Sequence, residues 1–280
     1  MKIQICMFVY NLEKTLKQSI QSVIDASAGL DIEVYVMCNG CKDGSFSIAK
    51  NYSLTDHRVQ AVELTFGDKS ETWNQFVYHY YDDKSIPVFL DGDLTFEHNA
   101  IVNIVNYYLA HPTYNSVSSM PWAGGRSSEE WRSRLLKHHE FTGNLYLLNP
   151  EFVKRVKSAN VRLPIGLIGD DSMLGFLTAT NLVDGTDEPL KRRGVCEDAV
   201  FIYEKLSPFS LADLKLYWRR RVRYSMRKLQ QDEIVSLLKQ KGIEHMPERA
   251  SDVFKSDKRY LTWRGLDTVF DFIAIRRLKQ

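Results

Sequence analysis

The chain has 280 residues, of which 44% are hydrophobic and 12% aromatic, enough apolar material for one large domain or two small ones. Its net charge is only +2, its first ten residues are too interrupted by polar positions for a signal peptide, and no apolar run approaches 18 residues. We therefore expect a soluble, cytoplasmic protein without a membrane-spanning helix.

The charges are distributed unevenly along the chain. Residues 211–280 hold 17 of the 37 lysines and arginines but only nine of the 35 acidic residues, a local excess of eight positive charges. The first 210 residues are correspondingly acidic, with a net charge of −6. Such asymmetry indicates an anionic partner for the basic part, either nucleic acid or a lipid surface.

Strand and helix patterns alternate over the first 120 residues. Apolar runs predict strands at 3–10, 32–37, 58–64, 86–91 and 116–120. The segments between them predict helices: one with an apolar face after residue 11, a short one after the loop at 38–45, and two more at about 69–82 and 97–110. This alternation predicts a mostly parallel sheet flanked by helices, which binds ligands at the carboxyl ends of its strands.

The pattern is looser after residue 120. It predicts a helix at 129–141, a strand at 143–148, a helix at 170–180, a strand at 195–204, a long basic helix at 210–240 and a last amphipathic helix. We interpret this as one α/β catalytic domain at 1–209, with halves at about 1–95 and 96–209. A basic helical C-terminal extension follows at 210–280.

Two aspartates follow the fourth strand, in the stretch PVFLDGDLTF (87–96). Asp91 and Asp93 are separated by Gly92, which lets the backbone turn tightly and lets a ligand approach. An unpaired carboxylate at the end of a core strand is costly, whereas two carboxylates at i and i+2 on a turn can face one divalent cation. Such ligands suit Mg²⁺ or Mn²⁺, whose coordination substrate phosphates complete. The alternative is a surface turn that caps the next helix.

Four motifs occur in order: FVYN at the end of the first strand, NGCKDGS after the second, GDKSETWNQ before the fourth, and FLDGD. This set resembles the inverting nucleotide-sugar glycosyltransferases of family 2, over roughly residues 3–225. The resemblance implies a GT-A (Rossmann-like) mixed sheet and metal-dependent transfer of a sugar from a nucleoside-diphosphate sugar to an acceptor hydroxyl, with inversion. Family members build polysaccharides, lipopolysaccharide and glycolipids, so a saccharide or lipid-linked acceptor is expected.

The resemblance assigns residues to the nucleotide. Phe8 and Tyr10 match positions where the family's backbone and side chains border the nucleotide base. Asn39 falls where the family usually carries an aspartate that binds the base. The carboxylate is missing here, but an amide both donates and accepts hydrogen bonds, and a UDP-sugar is the favoured donor.

The diphosphate, sugar and metal positions are also assigned by resemblance. Asp93 would face the metal directly, and Asp91 the ribose and the metal shell, with Gly92 between them. Lys69 and Asn74 match a pair near the diphosphate and sugar. For Lys69, a solvated lysine at the start of a helix is the alternative.

The second half of the chain carries the acceptor side. In GLIGDDSMLG (166–175), Asp171 matches the family's catalytic base and Asp170 the acid before it; a helix cap is the alternative. A base is required because the acceptor hydroxyl must lose a proton as it attacks. Gly143 matches a strand beside the acceptor pocket, and Trp122 could stack on an acceptor sugar or lie in the core.

One motif is incomplete. Residues 207–225 resemble the family's segment ending in QxxRW, but both its glutamine and its terminal tryptophan are absent. Arg221 is our candidate for the diphosphate. The incomplete motif leaves open which of the neighbouring arginines reaches it: Arg219, Arg220, Arg221 or Arg223.

Other classes of function are weighed against this one. A sugar nucleotidyltransferase would share the sheet and the acids, but it normally has a glycine- and arginine-rich loop after the first strand, which FVYNLEK lacks. A non-catalytic anion-binding module would explain the basic tail but not the acids, and nucleic acid is disfavoured because no recognised binding motif occurs. Cys38 and Cys41 form a C-x-x-C pair without the second pair of a zinc site, and buried thiols are favoured.

The last amphipathic helix has two interpretations. Over residues 263–277 one face carries Trp263, Leu266, Phe270 and Ile273, with basic residues around it. Such a helix can lie peripherally on an anionic membrane, on the cytoplasmic side. Alternatively, because Asp267 and Asp271 interrupt the basic side, the apolar face packs on the catalytic domain.

Overall fold

The computed structural model describes residues 1–122, 124–203, 211–254, 261, 263–265 and 267–278. Its strands are β1 (Lys2–Val9), β2 (Asp31–Asn39), β3 (Val59–Leu64), β4 (Ile86–Asp91), β5 (Thr95–Phe96), β6 (Ser116–Trp122), β7 (Leu145–Leu148) and β8 (Arg193–Ile202). Its α-helices are α1 (Leu16–Ala26), α2 (Ser45–Thr55), α3 (Lys69–Gln75), α4 (Ala100–Ala110), α5 (Arg126–His138), α6 (Pro150–Ser158), α7 (Asp170–Ala179), α8 (Pro189–Arg192), α9 (Leu211–Lys241) and α10 (Asp267–Leu278).

The strands form one mixed sheet in the order β3-β2-β1-β4-β7-β6-β8-β5. The first half supplies the parallel strands β3, β2, β1 and β4. Strand β7 then pairs antiparallel with both β4 and β6. The predicted mixed, mostly parallel sheet flanked by helices is confirmed.

Alternate residues of the central strands enter two different apolar layers. On β1, Ile3, Ile5 and Met7 pack with α1 and α4, while Cys6 and Phe8 face the opposite side of the sheet. This alternation follows from the two-residue period of a strand, and burial of both faces explains why the run is almost continuously apolar.

The carboxyl ends of the first-half strands meet at one edge of the sheet. Phe8 is in register with Asp91 of β4, and Val9 with Cys38 of β2. This edge therefore places the loops after β1, β2 and β4 side by side, as the sequence predicts for a ligand site.

Several elements differ from the prediction. The helix predicted at 69–82 is α3 followed by a π-helical turn, Phe76–Tyr80. Helices α6 and α8 were not predicted, although the start of α6 has a recognisable signal: Asn149 accepts a hydrogen bond from the Glu151 N–H, and proline follows at the first turn.

The C-terminal extension is partly integral to the core. Ile234 and Leu238 of α9 are fully buried in the same apolar cluster as Trp73 and Phe152. The predicted boundary at 209/210 lies outside the described residues, and the division into domains stays a prediction. Within the part of the chain that the structure describes, no helix has both the length and the apolar content needed to cross a membrane.

Candidate active site

The Asp-Gly-Asp turn lies directly against the end of β1. The Gly92 N–H donates to the Phe8 carbonyl at 2.8 Å, and a Cβ on Gly92 would come within 2.7 Å of that same oxygen. Only glycine allows this approach, so the sequence holds the two flanking carboxylates at the edge of the sheet. Asp91 is partly buried, whereas Asp93 is exposed.

Lys69, the first residue of α3, links the two groups of acids. Its Nζ lies 2.6 Å from Asp91 Oδ1 and 3.4 Å from Asp170 Oδ2, and 5.0 Å from the centre of the Phe8 ring. Burial disfavours the ammonium group, but Asp170 and Asp91 outweigh it and hold the pKa of Lys69 above its ordinary value. Lys69 is therefore a charged member of the site and not a solvated surface lysine.

The pKa of Asp91 is raised to about 6. Burial is the main cause, Lys69 opposes it, and the nearby negative charge of Asp93 adds to the rise. The Asn144 side chain donates to Asp91 Oδ2 at 3.3 Å. A carboxylate held this way is poised to exchange a proton for a cation near neutral pH.

The second pair of acids begins α7. Gly169 precedes the helix in the left-handed conformation, with φ of 99°, and Asp170 and Asp171 occupy its first turn. Asp170 is buried against Lys69, while Asp171 faces outward with about a quarter of its side chain exposed. Burial and the charge of Asp170 raise the pKa of Asp171, whereas Arg227 and Lys69 oppose that rise.

Gly143 makes room for the predicted base. A Cβ at this position would lie 2.6 Å from the Asp171 Cβ, so the loop before β7 can approach α7 only with glycine there. The structure therefore brings Gly143 next to Asp171. That both serve the acceptor stays a prediction.

Arg227 is a member of the site that the sequence analysis missed. From α9 it reaches Asp171 Oδ1 at 3.3 Å and donates to the Ser172 hydroxyl. Its aliphatic stem packs on Gly169, where a Cβ would come within 2.6 Å of it. No local motif marks Arg227, which belongs to a helix with many arginines; its contact depends on how α9 packs on α7.

Arg221, our candidate for the diphosphate, lies elsewhere. It forms an ion pair with Asp267 of α10, and its guanidinium lies 5.4 Å from the centre of the Phe270 ring. The structure does not bring it to the acids.

Two of the predicted nucleotide-base-binding residues, Tyr10 and Asn39, form a wall of the same edge, where both lie against residues 67–68. Tyr10 is more than half exposed and lies near Gly67. Asn39 is 7% exposed, and its side-chain oxygen accepts a hydrogen bond from the Asp68 N–H at 2.7 Å, which leaves its NH₂ group as the donor. Phe8 is buried beneath Lys69 and does not reach this wall.

Asn74 is not part of the open site. Its side chain is 1% exposed, donates to the Leu163 carbonyl at 2.9 Å and accepts from the Leu163 N–H at 2.8 Å. Asp68 has a related role: it caps α3 through the Glu71 N–H and accepts from the Gly166 N–H. Both residues hold the segment before α7 against α3, and so they position Asp170 relative to Lys69.

Trp122 lies at the end of β6 and is 40% exposed. It lines a cavity of about 540 Å³ together with Arg132, His98, Asn103 and Asp198. An aromatic face beside carboxylate, amide and imidazole groups is suited to a sugar, so the interpretation of Trp122 as a core residue is not supported.

The two cysteines of the C-x-x-C pair have different surroundings. Cys38 is buried, and burial raises the pKa of its thiol to about 12. The Cys41 thiol instead lies 3.4 Å from the Val9 carbonyl as a hydrogen-bond donor. Nearby, the side chains of Asn11 and Asp43 tie the loop after β1 to the loop after β2.

The acids fit a divalent cation that shares its coordination with a substrate. Asp93 makes no hydrogen bond or ion pair within the described ranges, and Asp91 beside it is held only by Lys69 and Asn144. Among the same residues, no three His, Cys, Asp or Glu side chains gather into a complete metal site. Two carboxylates plus phosphate oxygens are what Mg²⁺ and Mn²⁺ commonly use.

Removing the Lys69 charge should expose the repulsion between these acids. We expect Lys69→Met to lower the free energy of unfolding by about 1–3 kcal/mol, because it leaves partly buried carboxylates unpaired. The deficit should shrink at lower pH, since Asp91 then takes up a proton. Urea unfolding at pH 8 and pH 5.5 measures it; a deficit independent of pH would mean that Lys69 acts through packing alone.

Comparison with solved structures identifies the architecture. A mannosyltransferase from Pyrobaculum calidifontis in complex with GDP-Man and Mn²⁺ is similar over 99% of this chain and 73% of its own, with a TM-score of 0.64 and 16% identity. Glucosyl-3-phosphoglycerate synthase from Mycobacterium tuberculosis, in complex with Mn²⁺, UDP-Glc and phosphoglyceric acid, is similar over 80% of this chain and 77% of its own, with a TM-score of 0.53 and 18% identity. The fold is that of a GT-A glycosyltransferase.

The family follows from the sequence. The model of "Glycosyl transferase family 2" matches residues 4–162, which is more than half of the chain. The protein belongs to this family, and it is an enzyme of the glycosyltransferase class. A search among curated proteins found no match.

Proposed function

We propose that this protein is an inverting glycosyltransferase that uses a nucleoside-diphosphate sugar and Mn²⁺ or Mg²⁺. The observation that carries the proposal is Lys69, whose one ammonium group contacts Asp91 at the end of β4 and Asp170 at the start of α7. It brings the donor-side acids and the acceptor-side acids of a family 2 chain into a single site.

Asp91 and Asp93 would hold the divalent cation. When bound, it neutralises the negative charge that develops on the departing nucleoside diphosphate. Lys69 supplies a second positive charge at the same place, and Asn144 and Gly92 keep the Asp91 carboxylate at the sheet edge. These residues bind and orient the donor.

Asp171 acts on the acceptor. Its carboxylate takes the proton from the acceptor hydroxyl while that oxygen forms a bond to the anomeric carbon, and the bond from this carbon to the diphosphate oxygen breaks on the opposite face. The electron pair leaves with the nucleoside diphosphate. The charge of Arg227 favours the ionised form of Asp171 against burial and Asp170, which raise its pKa. Gly143 allows the loop before β7 to lie beside it.

Tyr10 and Asn39 would select the nucleobase of the donor. The Asn39 amide presents an N–H donor, because its oxygen is occupied by the Asp68 N–H. Such a donor suits a base carbonyl, which both uracil and guanine carry. The mannosyltransferase neighbour binds GDP-Man and the synthase UDP-Glc, so UDP-sugars, our favoured donors, are to be tested beside GDP-sugars.

The acceptor is proposed to be a saccharide or a lipid-linked sugar, in synthesis of a cell-surface polysaccharide, lipopolysaccharide or glycolipid. The cavity beside Trp122 supports a sugar as the group that is glycosylated. That the enzyme works in the cytoplasm stays a prediction.

Release of nucleoside diphosphate tests the proposal. A panel of UDP- and GDP-sugars is incubated with the protein in Mn²⁺, in Mg²⁺ and in EDTA, with simple glycosides as acceptors. We expect release from one donor, stimulated by the metal, and NMR of the product should show an inverted anomeric centre. Formation of pyrophosphate from a nucleoside triphosphate and a sugar phosphate would instead indicate a nucleotidyltransferase.

Arg227 provides a test that depends on pH. The charge of Arg227 opposes the rise in the pKa of Asp171, so Arg227→Gln should raise that pKa further and move the acid limb of kcat/KM toward higher pH. Arg227→Lys keeps a positive charge and should restore most of the wild-type profile. A loss of activity that is equal at every pH would show that Arg227 serves only the packing of α9.

A further inference from the structure

The C-terminal helices expose large aromatic side chains. On α9, Tyr217, Trp218 and Tyr224 are each more than half exposed. Trp263, before α10, is 86% exposed, and Phe272 on α10 is 58% exposed. Single apolar residues on a surface are ordinary, but five exposed aromatic residues on or next to two packed helices favour a contact surface.

The predicted apolar face of the last helix is divided by the structure. Helix α10 begins at Asp267 and packs on α9, where Phe270 meets Trp218 with ring centres 4.8 Å apart and Ala274 is fully buried. Leu266 lies outside the described residues. The alternative prediction is that this face packs on the catalytic domain; Phe270 instead packs on α9 of the same C-terminal extension. Trp263 stays exposed, as does Phe272, which lies outside the predicted face.

The same two helices expose positive charge. Arg219, Arg220 and Arg223 on α9 and Arg276 and Arg277 on α10 are exposed, and none forms an ion pair with another described residue.

The acids that interrupt this basic surface are neutralised locally. Asp267 pairs with Arg221, and Asp271 pairs with Arg264 at 3.0 Å. Among the described side chains, the exposed surface of α9 over 215–227 and of α10 is therefore positive as well as aromatic.

This surface continues to the candidate active site. Leu216, Arg220, Arg223 and Arg227 follow one another at spacings of four, three and four, so they lie along one side of α9. Arg227 contacts Asp171, while Leu216 lies about 17 Å further along the helix axis at 1.5 Å per residue. A flat partner on the outer part of α9 would thus lie within reach of the acceptor side.

We propose that this aromatic and basic surface, formed by Tyr217, Arg220, Arg223, Tyr224, Trp263 and Phe272, binds an anionic membrane. Aromatic rings favour the interface between lipid and water, and arginines pair with anionic headgroups. The enzyme then lies peripherally on the bilayer with Asp171 beside it. The inference that the acceptor is lipid-linked rests on the proposed function, whereas binding to lipid does not.

Vesicle co-sedimentation tests the proposal without any transfer assay. The full chain is mixed at low salt with two kinds of vesicle. One is pure phosphatidylcholine, and the other also contains about 30 mol% phosphatidylglycerol. We expect binding to the anionic vesicles only, weakening as salt is raised. Because each basic residue near such a surface contributes about fivefold, Arg220→Glu with Arg223→Glu should weaken partition by about 30-fold or more.

Matched variants test whether vesicle binding depends on this surface in particular or only on net charge and exposed apolar area in general. Lys17→Glu with Lys50→Glu makes the same change of charge at exposed sites on α1 and α2, and it should change binding less than twofold. Trp263→Ser with Phe272→Ser should release the protein from anionic vesicles, whereas Leu54→Ser with Leu190→Ser, at equally exposed positions, should not. Circular dichroism checks that each variant is folded.

Three results would overturn the proposal. In the first, the full-length protein stays in the supernatant with anionic vesicles at low salt. In the second, the two pairs of Glu substitutions lose equal amounts of vesicle binding. In the third, the protein is a stable dimer that Trp263→Ser with Phe272→Ser converts to monomer. Binding to vesicles by a protein that releases no nucleoside diphosphate would leave this inference standing and count against the proposed function.

Discussion

Asp171→Asn should reduce sugar transfer by about 10²–10⁴-fold while leaving donor affinity and metal dependence near those of the wild type. Asparagine has the same shape, and its carbonyl oxygen can still accept from the Ser172 N–H, which lies 2.8 Å from Asp171 Oδ1. What is lost is the ability to take the acceptor proton. Nucleoside-diphosphate release with saturating acceptor measures transfer, and isothermal titration with the donor and Mn²⁺ measures binding.

Asp170→Asn is the matched control, since it alters the neighbouring carboxyl on the same helical turn. Asp170 is buried against Lys69 and not directed to the acceptor side, so its loss should affect donor affinity more than the chemical step. Should Asp170→Asn abolish transfer while Asp171→Asn retains it, the two roles are exchanged and the match to the family motif is shifted by one residue.

Much of the donor side could be predicted from the sequence because it depends on local pattern. The strand before Asp91 and the loops after β1 and β2 are contiguous motifs, and parallel strands carry them to one edge of the sheet. Gly92 could likewise be placed, since a tight turn and close approach require glycine, whereas Gly143 is assigned by resemblance alone.

The contacts that complete the site could not be predicted, because they depend on how distant helices pack. Arg227 reaches Asp171 across 56 positions of sequence, and no spacing rule on α9 distinguishes it from Arg221, which is engaged by Asp267. Lys69 can contact both Asp91 and Asp170 only because the segment before α7 lies against α3. Asp68 and Asn74 hold that segment in place. Their hydrogen bonds to Gly166 and Leu163 leave no local signal in the sequence.

Resemblance also misdirects where a residue keeps its type but changes its surroundings. Asn74 matches a position near the diphosphate, yet both ends of its amide are bound to the backbone of Leu163 and its side chain is buried. The Phe8 side chain is buried beneath Lys69, because the even-numbered residues of β1 share the face that packs on α3. Solvent exposure decides such cases, and exposure is a property of the fold.

The pKa of Asp91 predicts how donor binding depends on pH. A metal ligand must be deprotonated, and burial places the pKa of this carboxyl at about 6 in the folded protein without metal. Metal-dependent donor binding should therefore be constant above about pH 7 and weaken by about tenfold for each unit below pH 6. Titration of Mn²⁺ in the presence of donor, at pH 5 to 8, measures this.

Asp93→Ala should remove the metal-dependent part of donor binding and lower kcat/KM by about 10²–10³-fold or more, which corresponds to the several kcal/mol that a bound cation supplies. The fold should be intact, because Asp93 is exposed and makes no contact that the described residues reveal; stability should change by less than about 0.5 kcal/mol. Glu63→Ala, which removes one exposed charge from β3, is the control and should behave as wild type.

The Asp93 variant also has a signature in the pH profile that a nonspecific defect would lack. Asp93 helps to raise the pKa of Asp91 by repulsion, so any weak metal binding that remains in Asp93→Ala should titrate at a lower pH than in the wild type. An Asp93→Ala protein that binds donor with full affinity in Mn²⁺, and turns over normally, would show that the Asp-Gly-Asp turn holds no metal. Lys69 would then be the residue to test as the main positive charge against the diphosphate, since it already contacts Asp91 at 2.6 Å.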